Sequence, residues 1–92
     1  MPSVEIMSTD PDAQIDHDGP VTPYRQLAEI LRARIARGEW APGRRIASET
    51  DLVQQYGLAR TTVRRAIAVL REDGAVTVVP QRGTFVAQPE QD

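Results

Sequence analysis

Apolar residues recur at helical spacing from residue 24 onward. Tyr24, Leu27, Ala28, Leu31 and Ile35 fall on one stripe, which predicts an amphipathic helix. Thr22 is placed to cap it, and Pro23 suits the first helical position, where its missing N–H would have no partner in any case. Gly38 ends the helix, and Glu39–Gly43 reads as a connector built on a Pro-Gly turn. Leu52, Val53 and Tyr56 mark the inner face of a short second helix. Ser48 and Asp51 form a capping box at its start, and Gly57 stops it. Val63, Ala66, Ile67 and Leu70 give a third helix from about Arg60 to Asp73, closed by Gly74. The pattern then changes to the β-branched run Val76-Thr77-Val78-Val79, a turn over Pro80-Gln81-Arg82-Gly83 and a return strand Thr84-Phe85-Val86. No internal repeat is visible.

Three helices followed by a hairpin, with a tight turn between the second and third helices, predict a mainly α fold with a small β-hairpin: a winged helix-turn-helix of three helices plus a two-stranded wing. It should occupy residues 22–87. Residues 1–21, with Pro, Asp, Ser and Gly and few apolar positions, read as a disordered acidic arm, and residues 88–92 as a disordered tail.

A chain of 92 residues holds one small domain with little core to spare. It has no cysteine, and so neither disulfides nor a thiolate metal site. No apolar run approaches a membrane span and no signal peptide opens the chain, so the expected location is the cytoplasm, in association with the nucleoid.

The net charge of −2 conceals segregation. Glu5, Asp10, Asp12, Asp16 and Asp18 lie in the arm, which has no Lys or Arg. Residues 24–88 hold eleven arginines against Glu29, Glu39, Glu49, Asp51, Glu72 and Asp73, a net +5. A basic domain with an acidic arm suggests nucleic-acid contact. The arm has two readings, a solubilising tail or an internal competitor with phosphate for the basic face.

The third helix sharpens that picture. Arg60, Arg64 and Arg65 share the first turns with Thr61 and Thr62, Arg71 follows on the same helix, and no carboxylate of that helix stands among them before Glu72. Surface bases on a helix usually meet acids three or four positions away, so these arginines point to an outside anion, a nucleic-acid backbone. Arg44 and Arg45, just before the second helix, suit phosphate contact or plain solvation. Trp40 is expected to fill the space between the first helix and the wing, and Tyr24, Tyr56 and Phe85 to join the core. His17 stands without a second histidine or cysteine, so no metal site is expected. With one histidine, three serines and no glycine-rich phosphate loop, no catalytic constellation or cofactor site is expected either.

The strings RIARGEWAPGRRIASETDL, YGLARTTVRRAIAVLREDGAV and QRGTFVA resemble the DNA-binding domain of the GntR family of bacterial transcription regulators, over roughly residues 23–87. The resemblance implies a third helix in the major groove, with Arg60, Thr61, Thr62 and Arg64 as contacts, and a wing at the minor groove with Arg82, Gly83 and Thr84 at its tip. With Arg45, Ser48, Thr50 and Arg65 added, these are the expected DNA-binding residues. Arg pairs with guanine O6 and N7 together, and Thr hydroxyls suit phosphate.

Three positions depart from the family pattern. Thr50 stands where a DNA-contacting Arg is usual, Ala59 where Ser or Thr caps the recognition helix, and Gln81 where the wing has its first glycine. The family usually continues into an effector-binding and dimerising domain. The chain stops at Asp92, so no small-molecule effector domain is expected. The implied function is a repressor binding double-stranded DNA at a palindromic operator with GT- and AC-containing half-sites, as a homodimer formed only on DNA. The reading from another class is a protein-interaction module that docks its basic face on an acidic partner.

Overall fold

The computed structural model describes residues 10–88. The elements are α1 (Pro23–Ala36), α2 (Glu49–Tyr56), α3 (Arg60–Glu72), β1 (Val76–Val79) and β2 (Gly83–Val86). β1 and β2 pair antiparallel with Val76 opposite Val86 and Val79 opposite Gly83. The fold is a winged helix, as expected. The disorder expected for residues 1–9 and 89–92 lies outside the described residues.

Local chemistry starts and stops the helices. At α2 the Ser48 hydroxyl accepts from the Asp51 amide at 3.0 Å and the Asp51 carboxylate accepts from the Ser48 amide at 3.3 Å, so the capping box is closed. Gly57 ends α2 in the left-handed region at φ 65°, which frees the chain to turn sharply towards α3. Thr22 does occupy the cap position of α1, but its side chain makes no capping bond. Its backbone carbonyl instead accepts from the Arg25 and Gln26 amides.

The core is one cluster in which α1 packs mainly against α3. It gathers Leu27, Ala28 and Leu31 from α1, Leu52 from α2, Val63, Ala66, Ile67 and Leu70 from α3, and Val76 from the wing. Leu58, in the turn between α2 and α3, plugs this core and is only 6% exposed. Burying side chains of this size contributes about 1.5–3 kcal/mol each.

The wing is broader than a hairpin. Segment 43–46 runs along the free edge of β2: the Gly43 amide donates to Val86, the Val86 amide to Arg44 and the Ile46 amide to Thr84, all within 2.9 Å. This edge pairing ties the wing to the start of α2 and covers backbone groups that would otherwise lie open.

Residues 10–21 belong to the arm for which disorder is expected. They form turns fastened to α1. Gln26 accepts from the Asp16 amide at 2.8 Å and donates to the Asp16 and Val21 carbonyls at 2.8 and 2.6 Å. Ile15 packs on the core, and Ala13, Pro20 and Val21 share an apolar recess with Ile30, which lies off the expected stripe yet is fully buried.

Arg34 is the one buried charge among the described residues, at 8% exposure. Its guanidinium grips both oxygens of Glu39 (2.8 and 2.6 Å), donates to Gln55 and the Tyr56 hydroxyl (3.2 and 3.1 Å) and lies 4.5 Å over the Trp40 ring. Trp40 thus serves as a platform for Arg34 against the core. The Arg34 hydrogen bonds, helped by Arg37, lower the Glu39 pKa from 4.5 to about 2. Between those values the unfolded chain binds a proton that the folded chain refuses. The stability from this pair is therefore expected in full above pH 4.5 and to drain away as pH falls towards 2. Urea midpoints measured from pH 6 down to pH 2.5 check this. Glu39→Gln should flatten the fall, and an unchanged slope would remove Glu39 as its source.

The departure at Gln81 has a structural consequence. Gln81 sits at φ 67°, the left-handed region that glycine enters freely. The wing therefore keeps a glycine-type bend without the glycine, at a cost of roughly 1–2 kcal/mol. Gln81→Gly is expected to raise stability by about 0.5–1 kcal/mol, the relief less the extra chain entropy that glycine loses on folding. A melting temperature higher by a few degrees would register the gain. A lower one would mean that Gln81 side-chain contacts outweigh its backbone strain.

Candidate nucleic-acid interface

Three local features converge on one face: the capped start of α2, the start of α3 just beyond the Gly57 turn, and the wing tip. Between them lies an open groove of about 840 Å³. Arg45, Ser48, Thr50, Arg60, Arg82, Gly83 and Thr84 line it, so seven of the eleven expected contact residues meet there. Thr61, Thr62 and Arg64 lie on the first turns of α3. Ala59 gives that helix no side-chain cap, which leaves its first amides to an outside acceptor and its positive dipole end towards the groove.

The α3 arginines have no partner on their own helix, but α2 supplies one. Glu49, the first residue of α2, accepts from Arg60 Nη1 at 3.2 Å and from Arg64 Nε at 3.1 and 3.0 Å. Arg60 Nη2 also donates to the Thr50 hydroxyl at 3.3 Å. Thr50, in the place of a family arginine, thus acts here as an acceptor that steadies Arg60. The Glu49 pKa is lowered chiefly by the hydrogen bond from Arg64 and then by that from Arg60. Arg60 and Arg64 remain 46% and 62% exposed, so both ion pairs sit at the surface and an incoming ligand can reach them.

Arg65 is turned away. One position along from Arg64, it lies on the α1 side of the helix, with its guanidinium 4.1 Å over the Tyr24 ring; Arg25 is 5.5 Å from the same ring. It stands apart from the residues that line the groove. The other departure concerns Ser48. Its oxygen accepts one bond in the capping box, which leaves its O–H and its second lone pair for an outside partner.

At the wing tip, Arg45 lies across the turn. Its Nη1 donates to the Arg82 carbonyl at 3.1 Å, and a Cβ placed on Gly83 would come within 2.8 Å of Arg45 Cδ. Gly83, at φ 124°, is therefore required both by its backbone and by the close passage of Arg45. Arg82 stays exposed at the tip.

Asp12 and Asp16 of the arm are engaged at α1. Asp12 pairs with Arg37 at 3.4 Å, and Asp16 bonds to Gln26, both on the α1 side. Glu5 lies outside the described residues. Among the described residues no cluster of His, Cys, Asp or Glu could hold a metal, and no helix is long and apolar enough to cross a membrane.

The two residues that sequence reading missed are Glu49 and Arg34. Glu49 meets Arg60 and Arg64 on α3, and Arg34 meets Gln55 and Tyr56 on α2 as well as Glu39 in the connector. A signal for Glu49 did exist: in a helix-turn-helix the first residues of the two helices face each other across the turn.

The geometry has clear parallels. A family model for bacterial regulatory proteins of the gntR family matches residues 23–86. The histidine utilization repressor of Pseudomonas putida is 36% identical over 73 residues, 79% of this chain and 29% of that protein. The chain spans about three tenths of the length of the curated relatives it matches. The structure of the AraR DNA-binding domain in complex with operator ORE1 superposes with a TM-score of 0.72 at 33% identity, covering 83% of this chain and 93% of that one. YtrA of Sulfolobus acidocaldarius, a GntR-family transcription factor, gives a TM-score of 0.72 at 29% identity, covering 86% of this chain and 66% of that one.

Proposed function

The chain belongs to the gntR family of bacterial regulatory proteins, and from that premise we propose that it is a sequence-specific regulator of transcription, a repressor that binds double-stranded DNA. The observation that carries this reading is the placement of Arg60 and Arg64 one turn apart at the start of α3, beside a groove that α2 and the wing complete. The first turns of a recognition helix meet base edges in the major groove, and arginine is the side chain that bonds guanine O6 and N7 together. Arg82 at the wing tip reaches the adjacent minor groove, whose negative potential favours arginine. Thr61, Thr62 and the uncapped amides of α3 take phosphates and set the register.

The solved complex of the AraR domain with its operator supports the same docking for this chain. Two copies on a palindromic site, with half-sites containing GT and AC, complete the proposal, because helix-turn-helix proteins mirror operator symmetry. The action is binding rather than catalysis, and its place is the cytoplasm, at the nucleoid.

The test is selection of duplexes from a randomised pool by the 92-residue protein, followed by fluorescence-anisotropy titration of the selected duplex and a scrambled one across a salt series. A preference of about a thousandfold or more is expected, with log affinity falling linearly in log salt. Equal binding to both duplexes would remove sequence specificity from the proposal. No binding at low salt would remove DNA altogether and leave the protein-docking alternative.

A further inference from the structure

Glu49 is the only carboxylate among the described residues that pairs with arginines of α3. It is held firmly. The capping box fixes the backbone on either side of it, and its position in the first turn of α2 places its negative charge at the favourable end of the helix dipole. The atoms it touches are informative. It holds Arg64 through Nε alone, and neither terminal nitrogen of Arg64 has a partner among the described residues. A guanidinium held this way presents its two terminal nitrogens outward as a fork, the donor pair that meets O6 and N7 of a guanine. Arg60 is engaged differently. Its Nη1 donates to Glu49 and its Nη2 to Thr50, so each terminal nitrogen already has one N–H spent inside the protein.

We infer that Glu49 is a positioning residue that sets sequence specificity, with its carboxylate aiming Arg64 at a base edge and taxing any contact that either arginine makes with an isolated phosphate. Non-specific binding is driven by charge alone. A fixed carboxylate between two arginines cancels part of that charge and repels the backbone. A correctly placed guanine recovers the loss through two directed bonds, which a phosphate met in passing does not. Glu49 therefore weakens binding to wrong sequences more than binding to the right one. This inference rests on the DNA-binding reading above.

The experiment compares wild type, Glu49→Gln and Glu49→Asp on the duplex that wild type selects and on its scrambled counterpart, over a salt series, with circular dichroism to confirm folding. Glu49→Gln is expected to raise affinity for the scrambled duplex and to cut the selected-to-scrambled ratio about tenfold. Its salt slope on the scrambled duplex should steepen by about 0.9, one more phosphate contact. Glu49→Asp keeps the charge and should hold scrambled-duplex affinity near wild type. If Glu49→Gln shifts both duplexes by the same factor, or shifts neither, the inference is overturned while the DNA-binding reading stands. If wild type selects no duplex, the DNA-binding reading fails first and takes the inference with it.

Discussion

Arg34→Ala is expected to remove about 3 kcal/mol of folding stability, the largest effect of any single polar replacement in the chain. Arg34 is buried at the meeting point of α1, the connector and α2, and four groups depend on it: Glu39, Gln55, the Tyr56 hydroxyl and the Trp40 ring. Removing one member of a buried ion pair costs roughly 3–5 kcal/mol, because the other charge is stranded. Here the Glu39 side chain is 30% exposed and recovers some hydration, which brings the expectation to the lower end. Lost stacking on Trp40 is part of that figure and not an addition to it. For a domain this small the total stability is on the order of 5 kcal/mol, so most of the margin goes. Arg34→Lys keeps the charge but not the planar fork, and should recover less than half of the loss. Urea denaturation followed by circular dichroism at pH 7 measures both. A loss under about 1 kcal/mol would place the network in the class of ordinary surface ion pairs.

The second large effect concerns recognition. Arg60→Ala and Arg64→Ala are each expected to cost about 1–3 kcal/mol against the selected duplex, while affinity for a scrambled duplex changes far less. The structure adds that the two losses will not sum. Both arginines share Glu49, so removing one changes how that carboxylate positions the other. Each single variant therefore carries part of the cost of the pair, and the double variant should lose less than the two singles together. The measurement is a double-mutant cycle by anisotropy on both duplexes. Strict additivity would mean that Glu49 does not couple the two arginines. Equal losses on both duplexes would make them phosphate contacts instead of base readers.

What could be read without coordinates was what neighbouring residues decide among themselves. Leu27, Leu31, Val63 and Leu70 announce their faces through a period of 3.6. Ser48 and Asp51 cap α2 because they stand three apart, and Gly57 ends it because it alone enters the left-handed region without cost. Even the departures were legible as departures: Ala59 indeed leaves α3 without a side-chain cap. The arm has the composition of a disordered segment, yet over residues 10–21 Ile15 packs on the core and the side chain of Gln26 takes up three backbone groups.

The same division holds for the site. From the sequence alone followed the order of helices and hairpin, the basic character of α3, and the residues that line the groove from Arg45 to Thr84, all consequences of periodicity, caps and turn chemistry within a few positions. Only the tertiary structure decided where the charges go. Arg60 and Arg64 are unmatched on their own helix and become paired because folding brings the start of α2 across the Gly57 turn; Arg65, beside them, is spent on Tyr24 of α1. Arg34 is an ordinary helix arginine until α2 and the connector close over it. Segment 43–46 becomes part of the wing only once β2 offers it an edge. A side chain's partner is set by distance in space, and a one-dimensional pattern carries that distance only within a single element.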